Sequence, residues 1–338
     1  MASTGLPSEV SRLVGGFRAF QLVVTACRLN LPDLLATGPK SADELAAATG
    51  TNAPAMRKLL RGLAACRVFK EQPDGCFAVT DISEHFRADK PGVRTMTLML
   101  SEEAYDAWGE LTYTIQTGKP AYDRVHGKGR WEDLAERPEA AALFNAAMVE
   151  LTNTVAKDFV ATYDLANAST VVDIGGGTGA LLAGVLKANP HLKGILFDLA
   201  PGLAGARDAM AAEGLDSRVT LVEGNFFESV PPGADVYLLK SIVHDWDDEH
   251  ASAILKTCRA AMGPSSRLVL LERLMPEHIV DPDRDFASAM SDLHMMVLFG
   301  GQERTPTEYG ALLSGAGLVM TRHLAMPCGF GAFEAVPN

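Results

Sequence analysis

The chain has 338 residues, 47% hydrophobic and 21% charged, with a net charge of -12. That length exceeds the ~100–200 residues of one ordinary domain, and the acidic balance disfavours nucleic acid, which demands local positive potential. Five scattered cysteines without a C-x-x-C pair argue against a disulfide framework and a cysteine zinc site.

The N-terminus, M-A-S-T-G-L-P-S-E-V, lacks a basic n-region followed by an apolar stretch, and no run reaches the ~18 apolar residues of a membrane span. A cytoplasmic enzyme without a membrane partner is therefore expected. From Pro7 to about Lys90 the periodicity is helical. Ser41, three residues before Glu44, opens an Ala-rich helix, and another helix runs from Pro54 to Cys66. Pro73-Asp74-Gly75 then separates two short β-prone runs and reads as a hairpin. Helix, turn, helix and hairpin together make a winged-helix-like module. Arg57, Lys58, Arg61 and Arg67 leave a DNA-binding regulator open, but the acidic total favours a solvated face on a packing or dimerisation domain.

Residues 93–162 read as mainly helical, interrupted by Gly and Pro near T-G-K-P-A-Y-D-R-V-H-G-K-G-R. Short β-rich runs beginning at 171, 194, 219, 236 and 267 then alternate with helical segments, the grammar of a doubly wound parallel sheet. Two last runs, from 317 and 329, are expected as a terminal antiparallel pair.

Asp173-Ile174-Gly175-Gly176-Gly177-Thr178-Gly179 follows the first of these strands and precedes a helix near Ala180, where such sheets hold nucleotides. Gly175, Gly177 and Ala180 also satisfy G-x-G-x-x-G/A, and Asp198 is placed for the ribose of a nicotinamide cofactor, so an oxidoreductase stays open. Two features favour S-adenosylmethionine: Asp173 just before the loop, and Glu223-Gly224-Asn225-Phe226-Phe227, whose amide and aromatic ring suit an adenine edge and face. Further on, the apolar run V-Y-L-L-K-S-I-V ends at His244, at the end of a strand, where a proton acceptor would meet a ligand.

With these motifs in order, the chain resembles the small-molecule S-adenosylmethionine-dependent O-methyltransferases, of the plant caffeate and chalcone type and the bacterial type that tailors aromatic natural products. Six matches carry the resemblance: D-I-G-G-G-T-G at 173, F-D-L-A-P at 197, E-G-N-F-F at 223, L-K-S-I-V-H-D-W at 239, L-L-E-R-L-M-P at 270 and G-G-Q-E-R-T at 300. It implies an α/β fold. A mainly helical, winged-helix-like dimerisation domain (1–100) would precede a Rossmann-like catalytic domain (101–338), whose helical connector (101–162) contributes to the substrate pocket. It implies a homodimer and a small aromatic acceptor. Gly175 and Gly177 would face the methionine part of the cofactor, Asp198 the ribose, and Asn225 and Phe226 the adenine, with Asp173, Lys240 and Ser241 completing the site. Asn225 departs from the Asp of many members. His244 matches the general base and Glu272 and Glu303 its flanking acids, which of them orients it being open.

Full proton transfer from a phenol near pKa 10 to a histidine near 6.5 is about 5 kcal/mol uphill; a neighbouring carboxylate reduces that gap. Asp245, Asp247, Asp248 and Glu249 read as acids charging the start of the next helix, to Met262. Trp246 reads equally as an adenine cover or as core. Met290, His294, Met295 and Phe299, with Met148, suit a flat apolar acceptor; Met99, Trp108 and Phe144 are weaker candidates. No metal is expected, because no close carboxylate cluster of suitable spacing appears. Methylation of a heteroaromatic nitrogen, and a relative performing hydroxylation, decarboxylation or a pericyclic step, remain alternatives.

Overall fold

A computed structural model describes residues 8–90 and 92–338. The N-terminal stretch on which the expected lack of a leader rests, and Pro7 as a helix start, lie outside the described residues. The chain divides into two compact units, Met1–Tyr105 with Arg137–Glu150, and Asp106–Glu136 with Leu151–Asn338.

In the first unit, Ser41 caps the helix Ala42–Thr49 reciprocally: Glu44 N–H donates to Ser41 Oγ, and Ser41 N–H donates to the Glu44 carboxylate. Asn52 caps the next helix, Ala53–Ala65, by accepting from Ala55 N–H at 3.0 Å. That helix buries Met56, Leu60 and Leu63 and leaves Arg57, Lys58 and Arg61 exposed, as is Arg67 just beyond it. Strands β1 (Phe69–Glu71) and β2 (Phe77–Val79) pair antiparallel around the expected turn, with Gly75 at φ +83°. Leu45, Leu60, Leu63, Phe69 and Phe77 form the core of this unit. The long first helix, Ser8–Arg28, leaves Val10, Leu13, Val14 and Phe17 exposed, at the i, i+3, i+4, i+7 spacing of a single helical face.

The second unit is built on a seven-stranded sheet. Its strands are β3 (Thr170–Ile174), β4 (Lys193–Asp198), β5 (Val219–Glu223), β6 (Val236–Lys240), β7 (Arg267–Arg273), β8 (Leu318–Ala325) and β9 (Phe330–Pro337), in the order β5-β4-β3-β6-β7-β9-β8. The first five are parallel, and β9 runs antiparallel to both β7 and β8, the expected terminal pair. Period-two alternation sends Val171, Leu196, Leu238 and Leu271 to one buried face and Val172, Phe197, Leu239 and Leu270 to the other. A sheet covered on both faces explains the nearly continuous apolar runs.

Because the five strands are parallel, their carboxyl ends gather at one edge. The chain reverses its direction of travel through the sheet between β3 and β6, and such a switch point opens a crevice. The residues following β3, β4, β5, β6 and β7 meet there. No helix among the described residues is long and apolar enough to cross a membrane.

Candidate active site

His244 sits on a short 3-10 turn, Val243–Asp245, just past β6. The chain enters this turn through Ser241 at φ +53°, a left-handed conformation that costs a non-glycine residue roughly 1 kcal/mol. Its neighbours hold it there. Glu272, at the end of β7, accepts at Oε1 from the N–H groups of Ile242 (3.1 Å) and Val243 (2.9 Å). Arg304, only 1% exposed, donates to Val243 O at 3.1 Å, to Trp246 O at 2.9 Å and to the Asp248 carboxylate at 2.8 Å. Gln302 N–H donates to His244 O at 2.9 Å. A Cβ at Gly301 would lie 2.1 Å from that carbonyl oxygen, so only glycine admits this approach.

The ring itself meets three carboxylates. Nδ1 is hydrogen-bonded to Glu303 Oε1 at 3.1 Å, while Glu272 Oε2 lies 3.6 Å from it. Glu303 is fixed in turn by Ser291 Oγ–H at 2.6 Å and, through its own N–H, by Asp292 at 2.9 Å. On the other side, Asp245 Oδ1 lies 3.5 Å from Nε2. Asp245 is therefore a neighbour of the imidazole and not a helix-start acid, which corrects the expectation. The helix Asp248–Ala261 is capped by Asp247, two residues later, and the tight turn directs Asp245 inward.

These groups perturb one another strongly. Burial pulls the His244 imidazole down, but Glu303, Glu272 and Asp245 outweigh it and bring it to about 10. Burial pushes Glu272 up to about 7, against the pull of His244, and Asp245 up to about 6. For Glu303 the imidazolium and the hydrogen bonds win over burial, and its carboxyl is held below the usual range. At neutral pH the cluster thus holds an imidazolium against ionised Glu303, with Glu272 and Asp245 partly protonated. His244, Glu272 and Glu303 each offer a ligand atom, all within 4.8 Å of one another. This corrects the expectation that no close carboxylate cluster exists, since separations of 28 and 31 residues hide what strand ends bring together.

Beside this cluster lies the glycine loop. Gly175 (φ +68°) and Gly177 (φ +57°) are left-handed. A Cβ at Gly175 would meet Ile242 at 2.5 Å, and one at Gly176 would meet Leu196 at 2.4 Å and Asp173 at 2.7 Å. Asp198 closes the loop by accepting from Gly177 N–H (2.8 Å) and Leu199 N–H (2.7 Å). Asp173 Oδ2 and Ser241 Oγ are buried without a hydrogen-bond partner, and burial pushes the Asp173 carboxyl up to about 7. Lys240 Nζ donates to Thr152 Oγ1 at 2.9 Å, and burial lowers its basicity. Asn225 uses its side chain locally, accepting from Phe227 N–H at 3.0 Å. Phe226 lies 3.7 Å from the Gly175 Cβ position, and Trp246 packs edge-on to Phe227 with centroids 4.8 Å apart. Orphaned acceptors beside a bare glycine backbone fit a ligand with an amino-acid moiety, and Asp198 retains lone pairs for hydroxyls.

The helix Pro282–Leu298 carries Met290, His294 and Met295 and ends at Phe299. Trp108 Nε1–H donates to His294 Nδ1 at 3.1 Å, and Trp131 meets Phe299 with centroids 5.2 Å apart. Met290 is half-buried and Met295 buried. Met148, half-buried in the helix Pro138–Thr162, belongs with Met99 and Phe144 to the first unit. The reading of the sequence missed Asp245 and Arg304; the second stood inside the quoted G-G-Q-E-R-T motif, but nothing local signals that its guanidinium is buried.

Replacing Arg304 with Met leaves two backbone carbonyls unpaired and is expected to cost roughly 2–4 kcal/mol, read as a lower melting temperature. Gly301→Ala forces the loop off His244 and is expected to lower kcat about a hundredfold, with a smaller change in melting temperature.

Comparison with known proteins shows the family. A family model for the O-methyltransferase domain matches residues 108–319, and one for the O-methyltransferase dimerisation domain matches 11–89. The chain is 39% identical to a mitomycin biosynthesis 6-O-methyltransferase of Streptomyces lavendulae, covering 96% of this chain and 91% of the relative. It is 37% identical to a phenazine O-methyltransferase of Lysobacter antibioticus, covering 98% and 96%. Among solved structures it is similar to an O-methyltransferase from neocarzinostatin biosynthesis in complex with S-adenosylmethionine and 2-hydroxy-5-methyl naphthoic acid, with TM-score 0.82, 31% identity and coverage of 94% and 96%. The chain belongs to the O-methyltransferase family and is an S-adenosylmethionine-dependent O-methyltransferase.

Proposed function

We propose that this enzyme methylates a phenolic hydroxyl of a small aromatic molecule in natural-product biosynthesis, with His244 as the proton acceptor. One observation carries the reading: Glu303 occupies His244 Nδ1 at 3.1 Å, which in the neutral ring leaves Nε2 as the acceptor. The relatives named above, for mitomycin, phenazine and neocarzinostatin chemistry, support an aromatic substrate.

In this reading Asp173, Gly175, Gly177, Asp198, Asn225, Phe226, Lys240 and Ser241 hold S-adenosylmethionine. When bound, it supplies an electrophilic methyl carbon on a sulfonium. The protein's part is to position the acceptor oxygen and to take its proton. His244 Nε2 receives that proton, Glu303 keeps the ring in the productive tautomer, and Glu272 holds the turn through two backbone N–H groups. Asp245, beside Nε2, joins them in stabilising the imidazolium. With His244 near 10, the roughly 5 kcal/mol gap to an ordinary phenol closes almost completely. An acceptor that enters already ionised meets the imidazolium with the same total number of protons. Met290, His294, Met295 and Phe299 shape the acceptor side.

His244→Gln is expected to lower kcat by about a hundredfold or more, with binding of S-adenosylhomocysteine retained. Mass spectrometry and NMR of products from a panel of phenols would check both the loss and the methylated atom. Turnover unchanged by this substitution would refute the base. The pH profile supplies a second test. The productive complex carries one proton between His244 and the acceptor oxygen, so kcat/KM rises with pH below the pKa values of both groups. Glu303→Gln removes a charge that stabilises the imidazolium, lowers the His244 pKa, and is expected to move the acid limb to lower pH while reducing kcat.

The match to the dimerisation domain and the exposed stripe of Val10, Leu13, Val14 and Phe17 support a homodimer. Leu13→Glu combined with Phe17→Glu is expected to give a protein eluting at the mass of one chain in light scattering. An unchanged dimer would place the interface elsewhere.

A further inference from the structure

Trp108 and His294 stand 186 residues apart in sequence, yet the indole N–H donates to the imidazole Nδ1 at 3.1 Å. An indole nitrogen is a donor only. Nδ1 must therefore offer its lone pair, and the proton of the neutral ring resides on Nε2. Among the described residues Nε2 has no hydrogen-bond partner. The rings also stack, 6.3 Å apart at 23°, so the orientation is fixed as well as the tautomer.

The place of this donor matters. Ser291, three residues before His294 on the same helical face, donates to Glu303 at 2.6 Å, and Glu303 holds His244. His294 thus stands about one helical turn from Ser291, which binds the glutamate that holds His244. Burial, Arg130 and His244 pull the His294 imidazole down to about 4 despite Glu303, so it is neutral under working conditions. The Arg130 guanidinium is buried at 4.6 Å over the Phe299 ring, and its charge acts on His294 together with that of His244 and against that of Glu303.

We propose that His294, held by Trp108 as the Nε2–H tautomer, is a substrate-recognition residue that selects aromatic acceptors bearing a second oxygen, a carboxylate or carbonyl, on the ring system that carries the methylated hydroxyl. Trp108 is its positioning residue. The proposal rests on the reading of His244 as the base, since that reading places the acceptor here.

The test compares hydroxynaphthoates, with the carboxylate at each ring position, against the parent naphthol, using the full-length enzyme with S-adenosylmethionine. Wild type is expected to prefer one hydroxynaphthoate. His294→Phe is expected to lower kcat/KM for that acid about tenfold to a hundredfold more than for the naphthol, the value of a hydrogen bond to a charged group. His294→Gln, which keeps an N–H donor, restores part of the preference. Trp108→Phe, which keeps the ring but not the donor, weakens it. A folding defect would reduce both acceptors alike, so the ratio of the two reports recognition. No preference in wild type, or a preference surviving His294→Phe, overturns the proposal. Calorimetry with S-adenosylhomocysteine bound separates the two readings. If nothing is methylated but the acid still binds selectively through His294, the base reading fails and recognition stands; equal binding of acid and naphthol sinks recognition.

Discussion

Buried negative charge at the carboxyl ends of the sheet is the constraint around which this enzyme is organised. Three carboxylates, Glu272, Glu303 and Asp245, share a small space with one imidazole, and a carboxylate out of water must find donors or a counter-charge, or take up a proton. All three answers occur. Glu303 finds the ring and the Ser291 hydroxyl, Glu272 finds two backbone N–H groups, and the burial of Glu272 and Asp245 raises both so that each is partly protonated near neutrality. The basicity of His244 follows from its neighbours' need for a cation.

The backbone around His244 is shaped to permit this. Ser241 accepts a left-handed conformation, Gly301 lets a second segment approach the His244 carbonyl, and Arg304 binds the carbonyls on both sides of the turn. None of these residues reaches the reacting atoms, yet each fixes where the imidazole stands. The glycine loop shows the same division of labour: Gly175 and Gly176 clear space for Ile242, Leu196 and Asp173, while Asp198 ties the loop to β4. Parallel strands make both arrangements possible, since only a parallel sheet delivers five successive chain reversals to one edge.

The two imidazoles of the candidate site stand in opposite electrostatic environments. The His244 ring is charged by its neighbours, whereas His294 is kept neutral by burial and by nearby cations. Two imidazoles near the same helix thus carry opposite protonation states. Their environments, and not their chemistry, set which of the two rings is charged.

Much of this was written in the amino-acid order. The helix start at Ser41, the turn at Gly75, the seven strands and the glycine loop arise from short-range preferences and alternating burial, which neighbouring residues decide among themselves. His244 stood out at the end of an apolar run, and Glu272 and Glu303 were marked only by the resemblance of their segments to the family. Tertiary structure alone decided the rest. Asp245 and Asp247 look alike in a run of acids, and only the turn after β6 sends one inward and leaves the other as a cap. Which glutamate holds Nδ1, that Arg304 is buried, and that Trp108 meets His294 all depend on segments distant in the chain. Local order sets what each segment becomes; the long-range packing of strand ends sets which polar atoms find partners, because an unmet hydrogen bond has a cost only once water is excluded.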